Sequence, residues 1–155
     1  MTRSTAREIA LHLVFEMNFK GVSADEALET LMNEEYYPTL KAEADIYDEK
    51  PDRKQMEYLC AVTRGVAEQR ELLDGYITKY SIGWSIDRIS RVARAIMQIA
   101  MYESLYVEDV PVSAAINEAV ELTRKYEDED VVSFVNGILG GFARETEGQE
   151  HGSGI

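Results

Sequence analysis

The apolar positions of this chain recur at helical spacing from end to end, and no stretch alternates at period two for long enough to predict a strand. Ala6, Ala10 and Val14 fall on one row and Ile9, Leu13 and Met17 on the next. Residues 3–20 therefore predict an amphipathic helix, with Phe15 on its flank. Gly21 suits the position just past its end, where a left-handed backbone is common. Ser23 followed by Glu26 forms a capping box for a second helix, which buries Ala27, Leu28, Leu31 and Met32. Asp52 and Gln55 repeat that device before a third helix with Met56, Leu59, Cys60, Thr63, Val66 and Leu73 inward. Gly75 and the Ser81-Ile82-Gly83 turn punctuate its end. A fourth helix, with Ser85 as candidate cap, presents Ile89, Val92, Ile96, Ile99 and Ala100 to the core. Trp84, just before it, has no place in the pattern.

The stretch from Val110 to Arg144 predicts two helices joined by an acidic turn. Pro111 opens the first, where its missing N–H is no loss. Ala115, Ile116, Ala119, Val120 and Leu122 form its stripe, and Arg124 and Lys125 sit at its negative end. Asp128 caps the second, with Glu129 and Asp130 at its positive end. Val131, Val132, Phe134, Val135, Ile138, Leu139 and Phe142 supply the buried face. Two polar interruptions stand out, Asn117-Glu118 and Asn136-Gly137. A glycine inside a helix is worth about 1 kcal/mol less than alanine, so Gly137 predicts a close helix crossing there.

Periodicity fails in two places. Residues 36–51 are acidic and predict an exposed insert or loop, with Tyr36, Tyr37, Leu40, Ile46 and Tyr47 as anchors to the domain or to a second copy of the chain. Residues 146–155 are polar and glycine-rich and predict a disordered tail. The expectation is an all-α fold, a single-domain compact helical bundle of about six or seven helices over residues 1–145. At 155 residues one core is large enough to form. The lone Cys60 excludes an internal disulfide, and no apolar run approaches the ~20 residues of a membrane span. Neither a signal peptide nor a stripped cofactor domain is expected, and the cytoplasm is the default compartment.

The net charge of −13 argues against binding nucleic acid by bulk attraction. The acid is uneven, however. Residues 21–52 hold ten carboxylates against two lysines, whereas residues 1–20 carry a net +1 and residues 53–110 balance. Arg88, Arg91 and Arg94 fall three apart, on one sector of the fourth helix. Their alternatives are a salt-bridged face and a phosphate grip. With two histidines far apart, no phosphate loop and no glycine-rich dinucleotide turn, no catalytic residue, metal ligand or cofactor is assigned. The chain reads as a binding module and not as an enzyme.

The string VP-x-x-x-AINEAVEL followed by FVNGILGG resembles the C-terminal signature of the NusB family of bacterial transcription antitermination factors. AREIALHLVF near the start and ARAIMQIAMYES before the proline extend the resemblance over most of the chain. It implies a protein that binds single-stranded boxA-type RNA in ribosomal RNA leader transcripts. It does so with a small ribosomal protein, NusE, in an RNA polymerase complex that suppresses termination. By the same resemblance, RNA meets the N-terminus, here Arg3, Ser4, Thr5 and Arg7, with serine and threonine where arginines are common. It also meets the start of the last helix, here Asp130, Ser133, Phe134 and Asn136. Phe134 has two readings, a core residue and a stacking platform for a base. NusE would meet the first helix near Phe15 and the region of Asp87, Arg88 and Arg91. Two alternatives stay open: an RNA-binding domain like those fused to ribosomal RNA methyltransferases, and a protein-interaction module with weakened RNA binding. A homodimer is also open.

Overall fold

The computed structural model describes the backbone of residues 1–153 and the side chains of residues 1–147. Among the described residues there are seven α-helices, three short 3-10 helices and no strand, so the all-α expectation holds. The chain divides into two compact units, the first Met1–Glu68 and the second beginning at Gln69.

In the first unit, α1 (Arg3–Lys20) packs against α2 (Ala24–Leu31) and α3 (Arg53–Glu68). Both predicted rows of α1 are buried. Gly21 closes the helix in the left-handed region, at φ 69°, and its N–H reaches the Met17 carbonyl. Ser23 Oγ accepts from the Glu26 N–H at 3.1 Å. The Asp52–Gln55 box is reciprocal: Gln55 N–H donates to Asp52 Oδ1 at 2.9 Å, and Asp52 N–H to Gln55 Oε1 at 2.8 Å.

The acidic stretch between α2 and α3 is held in place. It forms the 3-10 helices Tyr37–Ala42 and Asp45–Tyr47, with Tyr37, Leu40, Ile46 and Tyr47 buried and Tyr36 exposed. The Tyr37 and Tyr47 rings meet edge-on at 5.8 Å. The Tyr37 hydroxyl donates to the Glu49 carbonyl at 2.7 Å, and the Tyr47 hydroxyl is hydrogen-bonded to His12 Nδ1 of α1 at 2.6 Å. Burial pushes both phenol groups above their ordinary titration range.

The second unit contains α4 (Arg70–Tyr80), α5 (Arg91–Tyr106), α6 (Val112–Tyr126) and α7 (Glu129–Ser153). α5 packs against α4, α6 and α7. Four expectations are corrected here. The single third helix is two helices, broken at Gln69, which adopts φ −101° and ψ 15°. Gly75 lies within α4 and ends nothing. Ser85 starts only the 3-10 turn Ile86–Arg88. The cap of the following helix is Ser90, whose Oγ accepts the Ala93 N–H at 3.2 Å. Finally, the close approach is not at Gly137, where an added Cβ would meet nothing within 4 Å. It is at Gly141, where a Cβ would lie 2.5 Å from the Tyr80 ring.

The Asp128 cap stands as expected, with its Oδ1 accepting the Val131 N–H at 3.1 Å. α7 continues past Phe142, and the Thr146 hydroxyl donates to the Phe142 carbonyl at 2.9 Å. The expected tail thus begins inside a helix, and its side chains from residue 148 onward lie outside the described residues.

Candidate nucleic-acid interface

The first group of candidate residues lies at the start of α1. Thr2 caps the helix, its Oγ1 accepting the Thr5 N–H at 3.0 Å and donating to the Thr5 hydroxyl at 3.0 Å. Thr5 is therefore engaged in the cap, while Ser4 is exposed on the first turn. Arg3 is exposed, with its guanidinium 5.0 Å from the centre of the Tyr58 ring of α3. That contact steadies the base of a long side chain and leaves its charge in water. Arg7 differs: it is only 7% exposed, beside Glu8 at 8%. Of the four N-terminal candidates, Arg3 and Ser4 are presented at the surface and Arg7 is part of the packed helix. Farther along α1, Phe15 is half-buried and stacks at 5.9 Å on Phe19, which is 57% exposed.

The second group lies in the other unit. Asp130, Ser133 and Asn136 fall three apart on α7, so they share a face, and all are exposed along with Gly137. Phe134 on the same face is half-buried. Its ring meets Trp84 at 6.2 Å with the planes 68° apart. Phe134 is thus neither wholly core nor wholly platform. One edge is packed and the rest borders a cavity of about 420 Å³ lined by Trp84, Arg88, Ile89, Ser90, Ala93, Asp130, Val131 and Phe134. Asp87, Arg88 and Arg91 surround the start of α5 and are exposed.

The expected arginine sector is divided. Arg94 turns to α4, where Nη2 and Nε reach the Asp74 carboxylate at 2.5 and 3.2 Å, and Gln98 joins them at 2.9 Å. Arg88 and Arg91 remain at the surface, beside the positive end of α5, whose first turn holds no acidic residue. Cations at that end of a helix are opposed by its dipole. Carboxylates stand in the same region: Asp87 is exposed next to Arg88, and Asp130 lines the same cavity. Ser90 donates to Glu127 Oε1 at 2.5 Å just before α7.

Trp84 is the residue that periodicity missed. It lies in a turn whose backbone closes from the Trp84 N–H to the Ser81 carbonyl at 3.0 Å, with Gly83 at φ 85°. Turns carry no helical repeat. The available signal was the chain's lone tryptophan set beside glycine, where no core position was on offer. Among the described residues, no group of three or more His, Cys, Asp or Glu is placed to hold a metal ion, and no helix is long and apolar enough to cross a membrane.

Comparison with known proteins gives a consistent picture. The model of the NusB family matches residues 4–144. The transcription antitermination protein NusB of Symbiobacterium thermophilum is 38% identical over 96% of this chain and 93% of its own length. Among solved structures, NusB of T. maritima superposes with a TM-score of 0.76 at 29% identity, covering 94% of this chain and 92% of that one. A crystal structure of the antitermination factors NusB and NusE in complex with double-stranded RNA gives a TM-score of 0.72 at 22% identity, covering 92% and 96%.

Proposed function

The chain belongs to the NusB family of transcription antitermination factors, and from that premise we propose that it is a non-catalytic RNA-binding factor acting with NusE. In this reading it recognises an unpaired boxA-type element of a ribosomal RNA leader transcript. With NusE bound, it joins RNA polymerase in the cytoplasm and suppresses termination. The observation that carries the reading is the exposed face of α7. Asp130, Ser133 and Asn136 stand in water there, with half-buried Phe134 among them and Arg88 and Arg91 in the same unit. Such a mixture of hydrogen-bonding side chains and aromatic surface suits splayed single-stranded bases better than a duplex backbone.

Few phosphate contacts are on offer, each contributing a slope of roughly −0.7 in log affinity against log salt on single strands. Affinity for RNA alone is therefore low, and a second protein that contacts the same strand raises it by making both contacts intramolecular. Phe15 and Phe19 on α1, and Asp87, Arg88 and Arg91 in the second unit, are the surfaces offered to NusE.

The test is a gel shift with boxA-type RNA, with and without NusE. NusE is expected to tighten binding at least tenfold, and equal affinities would count against the reading. Arg3→Glu is the informative N-terminal variant, because Arg3 is exposed whereas Arg7 is buried and its replacement would also disturb packing. Arg3→Glu weakens RNA binding and flattens its salt dependence, with the thermal midpoint unchanged.

A further inference from the structure

We propose that the cleft where α5 ends and α6 begins is a docking surface for a basic segment of a protein partner, with one arginine of that segment held between Glu108 and Glu147 and over the Tyr106 ring. The surface lies at the opposite end of α5 from Ser90, and it does not depend on the RNA-binding reading.

Three observations converge. The first is the charge of the cleft. It is a cavity of about 640 Å³ whose walls include Tyr106, Val107, Pro111 and Val112. Glu108 and Glu147 also line it, and no lysine or arginine does. Both carboxylates are exposed, and among the described residues neither has an ion-pair or hydrogen-bond partner. The last turn of α5 adds a further source of negative potential. A helix leaves its final carbonyls without partners of its own, and a cation placed there is stabilised. That turn holds no basic residue, so the balancing cation is one that a ligand brings.

The second observation is Tyr106, which decides the kind of cation. Its ring is 46% exposed and lies 5.1 Å from that of Tyr102, with the planes 35° apart. A guanidinium is planar, stacks on such a ring and still donates to a carboxylate at its edge, whereas an ammonium is a strongly hydrated point charge.

The third observation is α6 itself. Its buried positions are the small residues Ala115, Ala119 and Thr123. Val112, Ile116 and Val120, four apart in one row, are only half-buried. The row starts in the cavity at Val112 and runs away from it along the helix. α6 also opens at Pro111 with no side chain capping its first N–H groups. A peptide suits this combination, because its carbonyls accept from those groups and its apolar side chains cover the row. A bare metal ion leaves both unused, and a nucleic acid meets two carboxylates where it needs cations. A second copy of this chain brings a net charge of −13 to the same surface. The complement is a basic protein.

The probe is the acetylated, amidated peptide Leu-Leu-Gly-Arg-Gly, with a twin in which citrulline, a neutral isostere, replaces arginine. Each is titrated at low salt into the isotopically labelled full chain, and backbone amide shifts are read by NMR. Saturable shifts confined to residues 104–120 and to Glu147 are expected, with the citrulline twin about tenfold weaker and the arginine peptide released by salt. The double variant Glu108→Gln/Glu147→Gln weakens the arginine peptide about tenfold, while its circular dichroism and its binding of boxA-type RNA with NusE match the parent. Equal affinities of the two peptides, or an unchanged affinity in the double variant, overturn the proposal. Shifts spread over the acidic residues 21–52 report bulk charge and overturn it too, as does the absence of any saturable shift. If single-stranded oligouridine shifts the amides of Tyr106 and Glu108 and the peptide does not, the cleft belongs to nucleic acid and the proposal falls.

Discussion

Two glycines four residues apart on α7 have opposite requirements. At Gly141 the Tyr80 ring occupies the space of any side chain, so Gly141→Ala forces the helix and the ring apart and destabilises by roughly 1–3 kcal/mol. At Gly137 the space is empty and the backbone is helical, so Gly137→Ala stabilises by about 1 kcal/mol. Thermal denaturation of the two variants checks the pair: the midpoint falls for one and rises for the other. The sequence marked Gly137 as unusual but not why. Both glycines look alike in the string NGILGG, and only the position of Tyr80 separates them.

At the scale of elements, the legible parts were those with a repeat or a local hydrogen-bond device. The two rows of α1, the capping pairs Ser23–Glu26 and Asp52–Gln55, and the Asp128 cap are each written in a few adjacent residues, and each is present. What failed depended on distant partners. The break at Gln69 falls inside an unbroken apolar pattern, and Ser85 and Ser90 both precede helical sequence. The sector of three arginines was dissolved by Asp74, an acid on a different helix. That network has a measurable weight. Asp74 accepts from Arg94 and from Gln98, which is fully buried. Asp74→Ala strips both donors of this partner and destabilises by about 2 kcal/mol, read as a loss of roughly 4–8 °C in the thermal midpoint. The double variant Asp74→Ala/Arg94→Ala loses less than the sum of the single variants if the pair acts as a unit.

For the molecule as a whole, acid is the dominant variable. Glu145 of α7 accepts from Lys79 and, at 2.9 Å, from the Tyr80 hydroxyl. The Lys79 bond first, and the Tyr80 bond second, hold its carboxyl below the usual 4.5. A lowered carboxylate value in the folded state means that the stabilisation is complete above the ordinary value and is lost as pH falls through the lowered one. The difference in thermal midpoint between parent and Glu145→Gln is therefore full near neutrality and narrows in acid. A difference that does not narrow contradicts the pairing. Salt acts on the exposed pairs in the same direction, screening Arg64–Asp25 and Lys20–Glu16.

The tyrosine clamp between α2 and α3 has a last consequence. Because Tyr37 and Tyr47 hold the stretch between α2 and α3 in place, with Tyr47 bonded to His12 of α1, the carboxylates that this stretch carries keep fixed positions. A polyanion that approaches this unit over that segment meets negative charge in fixed positions, and the repulsion weakens as salt rises.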